Sequence, residues 1–383
     1  MDASAALLPA LASALLSALA QGEPPVRIQE DSMKIVRRTP RPGIRAMALA
    51  VTCAVAAVAV VGCGSGDGSS GDSGTSADES GGAVTIGIVN LNLSNPFFGT
   101  LGDATEAAAE AKGWKVMKAE AKVPGDSGTQ VTAIENMIAA KVKAIVVTPA
   151  NSTALNGVLK RARDNGILVL DVNSPLDPVS TADGTYATDN LAAGKLIGAW
   201  AKASSPADPQ IAMLDFDLTD GPASGRHDGF LSGYGITMDS PLVAGSALTQ
   251  GTVDTGQSAM ENLLSAHPGI NVVYTINEPV AQGAYTAVEN KGRADDVIIV
   301  SVDGACSGVQ DVQDGVIGAT AMQFPDKMGQ MAVDATDAYL KDGTKPAADQ
   351  ITDSGTVLIT DRPVDGVESQ TSAWGLERCW GDK

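Results

Sequence analysis

Carboxamides, carboxylates and phenylalanines recur just beyond apolar runs of this chain. Asn90-Leu-Asn-Leu-Ser-Asn-Pro-Phe-Phe98 follows Val84–Val89, Asp171 follows Ile167–Leu170, Asn277 follows Val272–Ile276, and Asp303 follows Val297–Val302. Carboxylates accept hydrogen bonds from neighbouring hydroxyls, and amides both donate and accept. A phenylalanine face covers the apolar C–H side of a sugar ring. The set therefore suits a polyhydroxylated ligand. Any one member alone also reads as a solvated turn residue, but four in equivalent places point to a site. Asp171 and Asp303 are also a carboxylate pair of the type used in glycoside hydrolysis.

Short apolar strands alternating with helix-period segments must position these residues. Strands are predicted at Val84–Val89, Trp114–Met117, Val142–Val147 and Ile167–Leu170, with helices at Phe97–Lys112, 127–140, 152–165 and Leu191–Ala203. The same order restarts with strands at Ile211–Leu214, Leu242–Gly245, Val272–Ile276 and Val297–Val302, and helices near 223–234, 254–266, 279–291 and 326–341. Unbroken Val/Ile/Leu runs mark strands buried on both faces, hence parallel strands in β-α-β units. Four to five such units on each side of residue 190 give an α/β fold of two doubly wound lobes. Ligands of such sheets bind beyond the carboxyl ends of the strands, where the polar residues stand.

The N-terminal region reads differently. Lys34, Arg37, Arg38, Arg41 and Arg45 precede the uncharged apolar run Met47–Gly62, and Cys63 follows it. A basic region, an apolar core and a small residue before the cut describe an export signal. Val60-Val-Gly-Cys63 resembles a bacterial lipobox, which implies diacylation of Cys63, a new N-terminus there and a stable membrane anchor. The run is short for a membrane span, which needs about 20 residues. Translation is expected to start at Met33, with an unusually long leader as the alternative. Residues 63–82 are Gly/Ser/Asp-rich and are expected to form a flexible linker with a root-mean-square span of roughly 25 Å.

The whole chain has 26 Lys+Arg, 45 Asp+Glu and a net charge of −19. Without residues 1–62, 20 cations face 41 anions, and the net is −21. So acidic a surface repels phosphate backbones and excludes nucleic-acid binding. With no Cys-x-x-Cys spacing and His227 and His267 the only histidines, no metal site is expected. Cys53 lies in the signal and Cys63 takes lipid. Cys306 and Cys379 remain, expected to pair in an oxidising compartment or to stay as buried thiols.

Six stretches together resemble the ribose/galactose-type periplasmic sugar-binding proteins: Ser94-Asn-Pro-Phe-Phe98, Gly225-Arg-His-Asp-Gly-Phe230, Asn262–Pro268, Tyr274-Thr-Ile-Asn-Glu-Pro279, Val302-Asp-Gly304 and Met322-Gln-Phe-Pro-Asp326. Thr249-Gln-Gly251, Asp303-Gly-Ala-Cys306 and Arg378-Cys-Trp-Gly381 resemble the fructose-binding subgroup more narrowly. The resemblance implies the type I periplasmic binding fold, with lobe one at 84–188 plus 324–352 and lobe two at 189–323 plus 353–383. It implies sugar contacts from Asn95, Phe97, Phe98, Asp171, Arg226, Asn277, Asp303 and Gln323. Asp189 would stand where the chain first crosses between lobes. Arg226 would donate from its planar fork to two adjacent hydroxyls, and its loss would leave the fold intact while abolishing binding.

Two departures argue against ribose: Val172 stands where ribose binders have an arginine, and no aromatic stands near Gln250-Gly251. The implied protein is a monomeric, cofactor-free binding lipoprotein of an ABC-type importer, taking a fructose-like monosaccharide and meeting a permease. The alternative is a receptor subunit presenting ligand to a membrane sensor. A repressor would need a helix-turn-helix where the export signal lies, and the implied family is not catalytic.

Overall fold

The computed structural model describes residues 83–91, 95–123 and 125–381. The leader, Met33, Cys53, Cys63 and the linker to residue 82 lie outside the described residues, as do Asn92, Leu93 and Ser94 of the first motif. Among the described residues no helix is long and apolar enough to cross a membrane.

Two six-stranded sheets organise the chain. In the first, β1 (Thr85–Asn90), β2 (Lys115–Glu120), β3 (Ala144–Val147), β4 (Leu168–Val172), β5 (Gly184–Ala187) and β11 (Ile351–Asp353) run in the order β11-β5-β4-β3-β1-β2, all parallel. The second holds β6 (Ile211–Asp215), β7 (Val243–Leu248), β8 (Val272–Thr275), β9 (Ile298–Asp303), β10 (Ala319–Met322) and β12 (Val357–Ile359). Its order is β12-β10-β9-β8-β6-β7, parallel except for the β10–β12 pair. Leaving aside β11 and β12, the two orders are the same, so each lobe reverses strand order next to its first strand. Every residue of β3, β4 and β8 is buried, because helices cover both faces of a parallel sheet. Each lobe accordingly has two apolar clusters, one per sheet face.

The helices start where the sequence supplies caps. α1 (Pro96–Ala111) begins at Asn95, whose side chain accepts from the Phe97 amide, with Pro96 in the first turn. α2 (Ser127–Ala139) and α3 (Asn156–Asp164) complete lobe one with α9 (Pro325–Asp342). In lobe two α4 (Asn190–Ser204), α5 (Gly221–Tyr234), α6 (Val253–Ala266) and α7 (Glu278–Asn290) are capped by Asp189, Asp220, Thr252 and Asn277. α8 (Cys306–Gln313) and α10 (Ser372–Leu376) close the lobe.

One helix pair matters for the site. α4 and α5 touch backbone to backbone through Gly194, Gly198 and Gly229. An added Cβ at Gly229 would overlap the Leu191 carbonyl, and one at Gly194 the Arg226 carbonyl. This closeness brings Arg226 of α5 against Asn190, the first residue of α4.

The chain passes between sheets three times, after Ala187, Met322 and Asp353, and the three crossings are tied together. The Asp189 amide donates to Asp353 Oδ1 at 3.0 Å, the Ser354 amide to the Ala187 carbonyl at 2.9 Å, and Lys327 Nζ to the Ser354 carbonyl at 2.7 Å. Thr356 Oγ1 donates to the Met322 carbonyl at 3.0 Å.

Candidate functional site

The candidate residues sit at carboxyl ends of strands in both sheets. Asn95, Phe97 and Phe98 follow β1, beside the point where lobe one reverses its strand order; Asn277 follows β8, at the corresponding point of lobe two. Asp171 stands within β4 and not after it, one residue before the strand ends at Val172. Asp303 ends β9, and Gln323 follows β10 at the second crossing.

Lobe two gathers its members closely. Gln323 Nε2 donates to Asp303 Oδ1 at 2.9 Å, and Arg226 Nη1 lies 3.7 Å from the same oxygen. Arg226 Nε donates to Asn190 Oδ1 at 2.8 Å, and Nη1 to the Ile276 carbonyl at 2.9 Å. All are buried. Arg226 thus holds Asn190 and the Ile276 carbonyl within the protein, which weighs against the expectation that its removal leaves the fold untouched. Two of its five N–H groups are committed to these bonds.

Asn277 is also partly committed. Its Oδ1 caps α7 through the Val280 amide at 3.1 Å, and its Nδ2 donates to the Gly251 carbonyl at 3.0 Å. One N–H and one lone pair of the amide remain.

Lobe one is organised differently. Phe97 is 3 % exposed and meets the half-buried Phe98 edge-on at 5.5 Å, so Phe98 carries the more open ring. The Asn90 side chain holds the Phe98 carbonyl. Asp171 is fully buried; its Oδ2 accepts from the Leu176 amide at 2.8 Å and its Oδ1 has no protein partner. Burial holds its carboxyl well above the usual carboxylate range. The structure does not bond Asp171 to the Arg226–Asp303–Gln323 group. Gln323 Oε1 is the matching unpartnered oxygen on lobe two. Asn156 Oδ1, Thr185 Oγ1 and Tyr274 Oη share that condition, so each lobe holds buried oxygens with no protein partner.

The carboxylates around Arg226 are perturbed. Burial raises Asp303 to about 6, with Arg226 opposing, and raises Glu278 to about 8, with the charge of Asp303 adding to it. Asp220, also near Arg226, is raised by burial. Glu278 was not a sequence candidate, although it adjoins Asn277. Its carboxylate accepts from the Gly304 and Ala305 amides at 2.7 and 3.0 Å and from Thr320 Oγ1 at 2.7 Å. It holds the turn after Asp303, in space that Gly308 leaves open. Asn190 was missed as well; its partner Arg226 lies 36 residues away, and nothing local signals the pair.

Cys306 and Cys379 are joined by a disulfide, 73 residues apart. Trp380, next in the tail, bridges to Ala305, and its carbonyl accepts from the Cys306 amide at 2.8 Å. The tail thus docks on lobe two, but the Trp380 ring packs in the core cluster of lobe one.

Two doubly wound lobes joined by three crossings, with polar side chains at the carboxyl ends of strands in both sheets, are the architecture of a two-lobed binding protein. Residues 86–345 match the model of the periplasmic binding protein domain, and the chain belongs to that family. It is 28% identical over 260 residues to the ribose import binding protein of Bacillus subtilis, covering 67% of this chain and 81% of that one. A crystal structure of a galactofuranose binding protein superposes with a TM-score of 0.68 at 25% identity, over 77% of this chain and 97% of that one. The periplasmic binding protein of an arabinose ABC transporter from Shewanella sp. ANA-3, bound to α- and β-L-arabinofuranose, gives 0.65 at 28% identity, over 72% and 92%. All three are named as binding proteins and not as enzymes, the first for import and the third as part of an ABC transporter.

Proposed function

We propose that this protein is the sugar-binding lipoprotein of an ABC-type importer, capturing one fructose-like monosaccharide between its lobes and held to the membrane by acylated Cys63. The observation that carries the reading is the pair of buried oxygens without a protein donor, Asp171 Oδ1 and Gln323 Oε1, one on each lobe. Sugar hydroxyls fit both, donating to Gln323 Oε1 and pairing with the Asp171 carboxyl as donor or acceptor according to its proton, and the remaining fork of Arg226 donates to hydroxyls in return. The ligand-binding set is Asn95, Phe97, Phe98, Asp171, Arg226, Asn277, Asp303 and Gln323. Lobe one (84–188 plus 324–352) closes on lobe two (189–323 plus 353–383), because only a bound sugar satisfies both. The relatives named for ribose import, galactofuranose binding and arabinose transport support a small sugar; Val172 and the bare Gln250-Gly251 region argue against ribose, and the Thr249–Gly251, Asp303–Cys306 and Arg378–Gly381 stretches favour fructose.

Calorimetry of the full chain against fructose, ribose, xylose, galactose, glucose and inositol tests the reading. Fructose is expected to bind most tightly; heat from none of the six would refute sugar capture. Mass analysis of the membrane-extracted protein is expected to show Cys63 as an acylated N-terminus, and an unmodified Cys63 would refute the anchor.

A further inference from the structure

Trp380 touches candidate sugar-contacting residues on both lobes. Its Nε1–H donates to the Gln323 carbonyl at 3.0 Å, and its ring meets Phe97 edge-on, with centroids 5.4 Å apart and planes at 83°. Phe97 in turn meets Phe98 edge-on at 84°. Two restraints within two residues hold the indole: the disulfide through Cys379, and the bridge to Ala305, in which the Cys306 amide donates to the Trp380 carbonyl. Both anchor it to lobe two, while its ring is buried among lobe-one side chains. The tail is therefore a fourth connection between the lobes, and unlike the three crossings its lobe-one end is a packing contact that can separate.

We infer that Trp380 is a positioning residue of the sugar site: it sets the Phe97 ring and the Gln323 segment in the arrangement a sugar meets, and the Cys306–Cys379 disulfide keeps it there. The inference rests on the sugar-binding reading. An edge-to-face contact fixes the inclination of the partner ring, so the setting of Phe97 passes on to Phe98. The N–H bond to Gln323 fixes the backbone at the second crossing, where the unpartnered Oε1 belongs.

The test titrates the full chain with the six sugars of the preceding panel and records tryptophan emission. Trp380→Phe keeps a ring beside Phe97 and loses the N–H; Trp380→Leu loses both. Trp374→Leu perturbs the same tail at a residue that stacks on Arg378 at 4.4 Å and touches no candidate sugar contact. Trp380→Leu is expected to weaken binding at least tenfold, Trp380→Phe about threefold, and Trp374→Leu less than twofold. The sugar-induced emission change is expected to vanish in Trp380→Phe and to persist in Trp374→Leu. Wild-type affinity in both Trp380 variants, or an equal loss in Trp374→Leu, overturns the inference, because tail docking alone would then explain the effect. If Trp380→Leu does not fold, Trp380→Phe decides alone, and wild-type affinity in it overturns the inference. Wild-type protein that binds none of the six sugars refutes the sugar reading and this inference together, whereas wild-type binding with unaffected variants refutes only the inference.

Discussion

Replacing Arg226 with alanine separates its two roles. The change removes the donor to Asn190 Oδ1 and to the Ile276 carbonyl and takes the cation from beside Asp303. A buried acceptor left without a donor costs about 1–3 kcal/mol, so two stranded oxygens cost about 4 kcal/mol. Asp303 answers the loss of its cation by holding its proton more firmly, since Arg226 is what opposes burial there. A fold of about 300 residues unfolds with roughly 2 cal/mol/K per residue, so this predicts a fall in Tm of about 6 °C. Binding loses hydrogen bonds from a charged fork, each worth about 1.5–3 kcal/mol, and affinity is expected to drop by at least a factor of about 100. Arg226→Lys is expected to recover part of the Tm, because it restores a charge near Asp303, and little of the affinity, because an ammonium cannot donate as a planar fork. Differential scanning calorimetry and titration calorimetry read the two effects separately. A melting point within a degree of wild type would refute the structural role, and a lowered melting point with unchanged affinity would refute the sugar contact.

Glu278 and Asp303 predict a pH dependence. Both are raised in the folded state, to about 8 and about 6, so folding favours their protonated forms. Their contribution to stability is complete below about pH 4, where the unfolded chain is also protonated, and is lost as pH rises through 6 and then 8. Thermal melts from pH 5 to 9 should show Glu278→Gln with a flatter decline than wild type, and parallel declines would contradict the assignment. The disulfide closes a loop of 73 residues, worth about 4 kcal/mol in the chain-entropy model. The double substitution Cys306→Ser and Cys379→Ser should lower Tm by about 6 °C and weaken sugar binding by freeing Trp380; an unchanged Tm would count against it.

The two-lobed α/β class was legible because parallel strands buried on both faces leave unbroken apolar runs, as in Ala144–Val147 and Leu168–Leu170. Of the four strands that escaped the sequence reading, Val357-Leu-Ile359 is an apolar run too short to stand out, and the other three lack that signal. Gly184-Thr-Tyr-Ala187 and Ala319-Thr-Ala-Met322 are buried by their neighbours and not by their own hydrophobicity. Ile351–Asp353 is exposed at all three positions and pairs with β5 at the edge of its sheet. The candidate site was legible where chemistry sits at a strand end, as with Asp303. It was not legible where one side chain answers another across the fold. Arg226 reads locally as a helix residue, Asn190 only as the neighbour of Asp189 at the crossing, and Trp380 only as part of the Arg378–Gly381 stretch. Their partners come from α4, the β8–α7 junction and β10, and no pattern along the chain links them.

Gln323 is bonded on three sides. Its amide donates to the Asp303 carbonyl at 2.7 Å, its Nε2 to the Asp303 carboxylate, and its own carbonyl receives the Trp380 indole. Two residues later Pro325 opens α9, which packs on α1 and so belongs to lobe one. A displacement of α9 against lobe two must therefore pass through a residue that is bonded to Asp303, held by the tail, and left with one unpartnered buried oxygen. The oxygen of Asp171 stands on the other sheet in the same condition. Leaving an acceptor without a donor costs about 1–3 kcal/mol. Under the sugar reading proposed above, hydroxyls that reach both groups remove that cost and an apolar solute of the same size does not, so the reading predicts selectivity for polyols and not merely for shape.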